Sequence, residues 1–196
     1  MFTKEYWKSS AAKLRQTKYL AIMATMIALK AVLANFSIPL SETLRINFGY
    51  MVTSVEAAVV GPVAGMISGA VSNTVNFMIR PSGTFFVGYT ISAMLGELFY
   101  GLFFYRRRIT LPSIIAAKAS VNYLINVLLG SLWSSMLYSK GYIYYAGKSV
   151  IKNTVMLPIE ITLLFLIFKM VLPFLQRRQL VVPQDKPAKE QTKQDL

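Results

Sequence analysis

A 196-residue chain that is 55% hydrophobic and carries a formal net charge of +13, with neither cysteine nor histidine, has the length of one domain and is too apolar for a soluble one. The missing residue types exclude disulfides, thiolate and imidazole metal sites, Ser-His-Asp triads and Cys-His pairs, so no catalytic residue, metal or cofactor is expected. The basic residues lie in short runs between apolar segments and in the two tails, a distribution that suits cytoplasmic loops and anionic headgroups rather than nucleic acid.

Residues 1–18, MFTKEYWKSSAAKLRQTK, read as a basic, amphipathic, cytoplasmic lead-in. The apolar run from Tyr19 to Ser37 follows, about 19 residues and enough to cross roughly 30 Å of hydrocarbon. No small-residue cleavage site comes after it, so it reads as a retained membrane helix rather than a signal peptide. Ala21, Ala24, Ala28 and Ala31 recur every three or four positions and so share a face. That smooth strip suits either close packing inside the bundle or docking onto a partner subunit. Lys30 interrupts the same run.

Arg45 stands at the entrance to INFGYMVTSVEAAVV, which Gly61-Pro62 separates from VAGMISGAVSNTVNFMI. The two stretches total about 35 residues, too many for one span, and predict two helices joined by a tight hairpin. Gly61, Gly65 and Gly69 repeat every four residues and predict a groove for a closely packed neighbour. A fourth span, TFFVGYTISAMLGELFYGLFFY, stops at Arg106-Arg107-Arg108; a fifth runs from Leu111 to Leu137 and holds Lys118, Asn122, Asn126 and Trp133. The loop YSKGYIYYAGK precedes a sixth, from about Ser149 to Leu175, with Lys152, Asn153, Pro158 and Glu160. Residues 176–196 are charged and proline-containing and read as a disordered cytoplasmic tail.

The expected fold is therefore an all-α membrane protein, a bundle of six transmembrane helices filling residues 19–175 with both termini cytoplasmic. The positive-inside rule agrees: the termini side gathers the N-terminal lysines, the Arg106–Arg108 run and the basic tail, whereas the other side has Arg45, Arg80, Lys140, Lys148 and Lys152.

In that topology Asn73, Asn76, Asn126 and Asn153 supply amides beneath the external mouth, Phe77, Tyr89 and Trp133 supply aromatic faces, and Arg45, Arg80, Lys148 and Lys152 supply cations. Amides read edges, rings stack on faces and cations pair with carboxylates, so the set suits a planar ligand with hydrogen-bonding edges and a carboxylate end. The plainer readings are interfacial anchors for the cations, interhelical bonds for the amides and an aromatic belt for the rings. Arg80, Pro81, Ser82, Gly83 and Thr84 form either an ordinary turn or a lid over the cavity. Carboxylates at membrane depth are functional candidates. Glu56 is expected to pair with Lys118, Glu97 or Glu160 to accept from a ligand N–H, and Lys30 to neutralise one of these or to reach a ligand carboxylate.

The small-residue face on helix one, LRINFGYMVTSVEAAVVGPVAGMISG across helices two and three, and RPSGTFFVGYTISAMLGELFYGLFFYRRR across the third loop and helix four together resemble the substrate-binding S components of energy-coupling factor (ECF) vitamin transporters, most closely the folate-specific type. The resemblance spans residues 19–175. It implies a multi-pass protein of the bacterial plasma membrane that captures folate from outside and hydrolyses no ATP itself. By the same resemblance, Ala24 and Ala28 would dock on a coupling transmembrane subunit bound to two cytosolic ATPase subunits, and residues 80–84 would belong to the gate. Related S components take pantothenate, pyridoxine, riboflavin or thiamine. An autonomous secondary transporter and an intramembrane enzyme are the alternatives from other classes; the missing histidine and cysteine weigh against the second.

Overall fold

The computed structural model describes residues 3–36, 38–39, 45–81, 85–138 and 140–182, with only the backbone path given for 38–39 and 45–46. Ser82, Gly83 and Thr84 of the expected gate, the side chain of Arg45, and residues 183–196 of the expected tail lie outside the described residues.

The elements in chain order are α1 (Lys4–Ala12), a 3-10 turn (Lys13–Arg15), α2 (Thr17–Ala34), β1 (Ile38–Pro39), β2 (Arg45–Ile46), α3 (Gly49–Val60), α4 (Pro62–Ile79), α5 (Val87–Phe104), α6 (Leu111–Ser120), a π-helical stretch (Val121–Leu129), α7 (Gly130–Leu137) and α8 (Tyr142–Arg177). The all-α expectation holds apart from a two-residue antiparallel pairing of β1 with β2, Ile38 opposite Ile46 and Pro39 opposite Arg45. Among the described residues, four helical stretches are long and apolar enough to cross a membrane: Thr17–Ala34, Val87–Phe104, Leu111–Leu137 and Tyr142–Arg177. α3 has only 12 residues, about 18 Å at 1.5 Å per residue, which is less than the hydrocarbon thickness. α4 is dotted with Ser68, Ser72, Asn73, Thr74 and Asn76, which dilutes its apolar character.

Burial is inverted relative to a water-soluble domain. Glu56 and Asn122 are 0% exposed and Glu97 1%, while Met78 is 77%, Met170 78% and Ile143 86% exposed. Apolar side chains face outward where lipid solvates them, and the polar groups turn inward to find partners that lipid does not offer.

The Gly61-Pro62 hairpin forms as expected. Gly61 takes φ +85, open to glycine at little cost, and a Cβ there would lie 2.7 Å from Ser10 Oγ; Pro62 then starts α4, where its missing N–H is harmless. The glycine groove is also present. A Cβ on Gly69 would come within 2.8 Å of the Ala93 carbonyl oxygen of α5, and α4 with α5 is the most extensive helix pair in the bundle.

Three parts depart from expectation. The lead-in is a packed element: Tyr6 Oη donates to Gly101 O at 2.9 Å, Ser10 Oγ donates to Val60 O at 3.0 Å, and Lys13 Nζ donates to Val59 O, so α1 caps the hairpin end. The loop expected before Ser149 is helical from Tyr142 onward, and within it Tyr144 and Lys148 stack one turn apart, with Lys148 Nζ 4.5 Å from the ring centroid. Finally, the chain after Leu175 turns back, Leu180 N donating to Leu175 O at 2.9 Å, and Leu180 and Val181 pack on the core.

Candidate functional site

α2, α4 and the α6–α7 stretch finish at the end of the bundle opposite the hairpin, where α5 and α8 begin, as cross-links there show. Arg80 Nη1 donates to Ala34 O at 2.9 Å, and Trp133 Nε1 donates to Ser92 Oγ at 2.9 Å. α3 is six residues shorter than α4, about 9 Å less in rise. The expected amide and aromatic residues lie toward this end.

Five of them lie around the α4–α5 seam and α7. Asn73 Nδ2 donates to Thr90 Oγ1 at 2.9 Å, Phe77 meets Phe85 edge-on at 5.1 Å between centroids, and Phe86 lies between Tyr89 at 6.0 Å and Trp133 at 5.6 Å. Asn76, one turn from Asn73, keeps a buried side-chain oxygen with no hydrogen-bond partner among the described residues. Asn126 and Asn153 meet across the π-helical stretch and α8: Asn126 Nδ2 reaches Asn153 Oδ1 at 3.4 Å and Asn122 Oδ1 at 3.3 Å, while Asn153 Nδ2 donates to Ser149 O at 2.8 Å.

The cations are less gathered. Arg80 is exposed and tied to the end of α2, Lys148 lies against the Tyr144 ring on the exposed start of α8, and Lys152 is half-buried beside the α8 amides. Shallow apolar grooves of about 330 Å³ along Pro158, Ile159, Thr162 and Leu163 and about 260 Å³ along Ala70, Val71, Thr74 and Val75 lie on outward faces of α8 and α4, away from these residues.

Glu97 sits deeper, in an ion cluster. Lys30 Nζ lies 2.6 Å from Glu56 Oε2 and also bonds Glu97, while Ser68 Oγ donates to Glu56. The expected neutralisation by Lys30 is met at Glu97, but Glu56 does not pair with Lys118. Lys118 instead lies 3.2 Å from Glu160 Oε2, which also accepts from Asn122 Nδ2 at 2.7 Å. The 12-residue α3 places Glu56 one turn from the hairpin beside α2 and α4, out of reach of α6. Asn122, Ser68, Tyr50 and Tyr100 belong to this buried polar layer and were not foreseen; the readable signal was the need of every intramembrane charge for an opposite one.

On α2, Ala21, Ala24 and Ala28 are exposed, whereas Ala31 is 8% exposed and turned inward beside Lys30. Outside the bundle core, burial together with the charges of Arg106 and Lys18 pushes the Lys13 ammonium down to about 7, and burial pushes the Tyr6 hydroxyl up to about 12.

A buried polar layer under an amide- and aromatic-rimmed end suits a binding subunit, and comparisons with known proteins give it a family. Residues 13–175 match the family described as "ECF-type riboflavin transporter, S component". The chain belongs to the ECF S-component family. This S component is 28% identical over 158 residues to "Folate transporter FolT" of Clostridium novyi (strain NT), covering 81% of this chain and 92% of the relative. It is 27% identical over 151 residues to "Folate transporter FolT" of Leuconostoc mesenteroides subsp. mesenteroides, covering 74% and 81% respectively. Its structure resembles a solved one, "Crystal structure of FolT bound with folic acid", with a TM-score of 0.71 and 29% identity, covering 76% of this chain and 92% of that one. The S component is thus a multi-pass transport protein that binds rather than transforms its ligand and works with an energising module.

Proposed function

We propose that this S component is the folate-specific type: it takes up folate from the extracytoplasmic side and delivers it through a coupling transmembrane subunit driven by two cytosolic ATPase subunits. The likeness to FolT bound with folic acid, over 92% of that chain, carries the reading. The arrangement supports it in chemical terms. A pterin needs edge donors and acceptors and a ring to stack on, and Asn76, Asn126, Asn153, Phe86 and Trp133 offer these toward this end of the bundle; the glutamate tail needs cations, for which Arg80, Lys148 and Lys152 are the candidates here, with Arg45 proposed from the sequence alone. Glu97, held by Lys30, serves as structure beneath that site. The six helical segments of the bundle would then all be membrane-spanning, with both termini cytoplasmic, residues 80–84 acting as gate, and Ala21, Ala24 and Ala28 facing the coupling subunit.

Riboflavin is the second reading, favoured by the description of the matching family. Isothermal titration of the purified chain with folic acid and with riboflavin separates them. Tight stoichiometric binding of folic acid alone is expected, and binding of riboflavin in its place would reverse the assignment.

A further inference from the structure

Beneath Asn126 and Asn153 the polar layer on the α8 side has two hydroxyls left over. Tyr100 is 1% exposed and Tyr50 half-buried, yet neither hydroxyl has a hydrogen-bond partner among the described residues. Both lie within electrostatic reach of Glu160, and Lys118 Nζ sits 3.7 Å above the Tyr50 ring while pairing with Glu160. A buried hydroxyl left unpaired costs stability and marks a place where something else completes it.

The layer above is built to open. Asn126 Nδ2 spreads its donors over two bonds of 3.3 and 3.4 Å, beyond the usual range, so a better partner displaces them easily. Both Asn122 and Asn126 sit in the π-helical stretch Val121–Leu129, a rare geometry that is frequent at functional sites. The Lys30 cluster on the other side of Tyr100 is held more tightly, its ammonium in close contact with both carboxylates, although Glu97 Oε2 has no hydrogen-bond partner among the described residues.

We propose that Tyr50, Tyr100, Lys118, Asn122 and Glu160 form the floor of the binding cavity and read the aminopyrimidinone edge of the ligand's heterocycle. The inference rests on the folate reading. That edge presents an amine N–H, a ring N–H and a carbonyl oxygen in a row. Glu160 accepts the two N–H groups, and Lys118 with a tyrosine hydroxyl donates to the carbonyl. A flavin edge, carbonyl, N–H, carbonyl, lacks the amine and leaves the Glu160 carboxylate facing an acceptor, so the floor selects against it.

The test uses the purified full chain, titrated with folic acid and with its 2-desamino analogue, in wild type, Tyr100→Phe and Glu160→Gln, with thermal unfolding of each protein without ligand. Tyr100→Phe removes an oxygen that bonds nothing, so the free protein melts at the same temperature or higher while folic acid binds about 5- to 30-fold more weakly. Glu160→Gln weakens folic acid by about tenfold or more and weakens the desamino analogue, which keeps the ring N–H but not the amine, by a smaller factor. If Glu160→Gln does not fold, Tyr100→Phe decides alone. Unaltered folic acid affinity in the folded variants overturns the floor and leaves the folate reading standing; a wild-type protein that binds no folic acid overturns both.

Discussion

Ser10 is the most exacting place to test how α1 is tied to the bundle. Its hydroxyl is 0% exposed, donates to Val60 O at 3.0 Å and accepts from Val63 N at 3.0 Å and Ala64 N at 3.2 Å. The two amides belong to the first turn of α4, whose own preceding residue, Gly61, has no side chain to cap them. Ser10 therefore does for α4 what an N-cap residue does locally, from more than fifty positions away in sequence. Replacing it with alanine removes three bonds at about 1 kcal/mol each and leaves buried donors without partners, against about 0.5–2 kcal/mol for an ordinary cap. A loss of about 2–3 kcal/mol is expected, or about 5–10 °C in the melting temperature at this chain length.

Thermal unfolding in detergent reads the stability, and hydrogen exchange at the Val63 and Ala64 amides reads the cause. Ser9→Ala is the control: Ser9 Oγ donates to Tyr6 O within its own helix at 2.9 Å and meets Tyr105 Oη at 3.1 Å, half-buried, so about 1 kcal/mol or less is at stake. If Ser10→Ala melts within a degree of Ser9→Ala, with exchange at those two amides unaltered, α4 does not depend on the distant cap and the reasoning fails.

Lys30→Met strands Glu56 and Glu97 without their cation and is expected to cost about 3–5 kcal/mol, as breaking a buried ion pair does; melting close to wild type would mean the cluster is not held by charge. At Lys13 the folded pKa of about 7 lies below the ordinary lysine value of 10.5, so the unfolded chain binds more protons across that window. Stability should climb as pH rises from 7 towards 10 and level off below 7. Melting curves of wild type and Lys13→Met compared across that range should diverge in slope, and parallel curves would remove Lys13 as the cause. Ala24→Phe with Ala28→Phe places bulk on the exposed strip of α2. Folic acid binding should persist while co-purification with the coupling subunit falls at least about tenfold, as expected where close helix contact is lost; undiminished co-purification would place the docking face elsewhere.

What the sequence made readable and what it hid divide along physical lines. Glycine and proline act on their own backbone, so the Gly61-Pro62 hairpin and the Gly65–Gly69 groove could be seen from residue type alone. The start of α8 could not: tyrosine, glycine and lysine at 142–148 are loop-like by composition, yet the chain is helical there and buries Tyr145 against Tyr138, a contact from outside the segment. The π-helical stretch leaves no mark in VNYLINVLL, because widening the helix follows from its packing with α8. Which intramembrane charges exist was plain, but which pair was not. Pairing turns on depth, and depth turns on where α3 begins, at Gly49 rather than at Arg45.

The same residue types do different work in the two halves of the bundle. Among α2 to α5, glycines bring the backbones together and Lys30 is clasped by two carboxylates, which ties those helices to one another without a ligand. Between the π-helical stretch and α8, both bonds of Asn126 Nδ2 are long, two prolines lie within α8, and the Tyr50 and Tyr100 hydroxyls at the boundary have no hydrogen-bond partner among the described residues. A ligand that supplies the missing partners recovers the stability the second half forgoes, so binding should raise the melting temperature in proportion to ln(1 + [L]/Kd). The halves then respond differently to mutation. Lys30→Met lowers the melting temperature with and without folic acid by the same amount. Tyr100→Phe leaves the free protein alone and shrinks the increment that folic acid adds. An increment that stays whole in Tyr100→Phe, or vanishes in Lys30→Met while the protein remains folded, would place recognition on the wrong side of Tyr100.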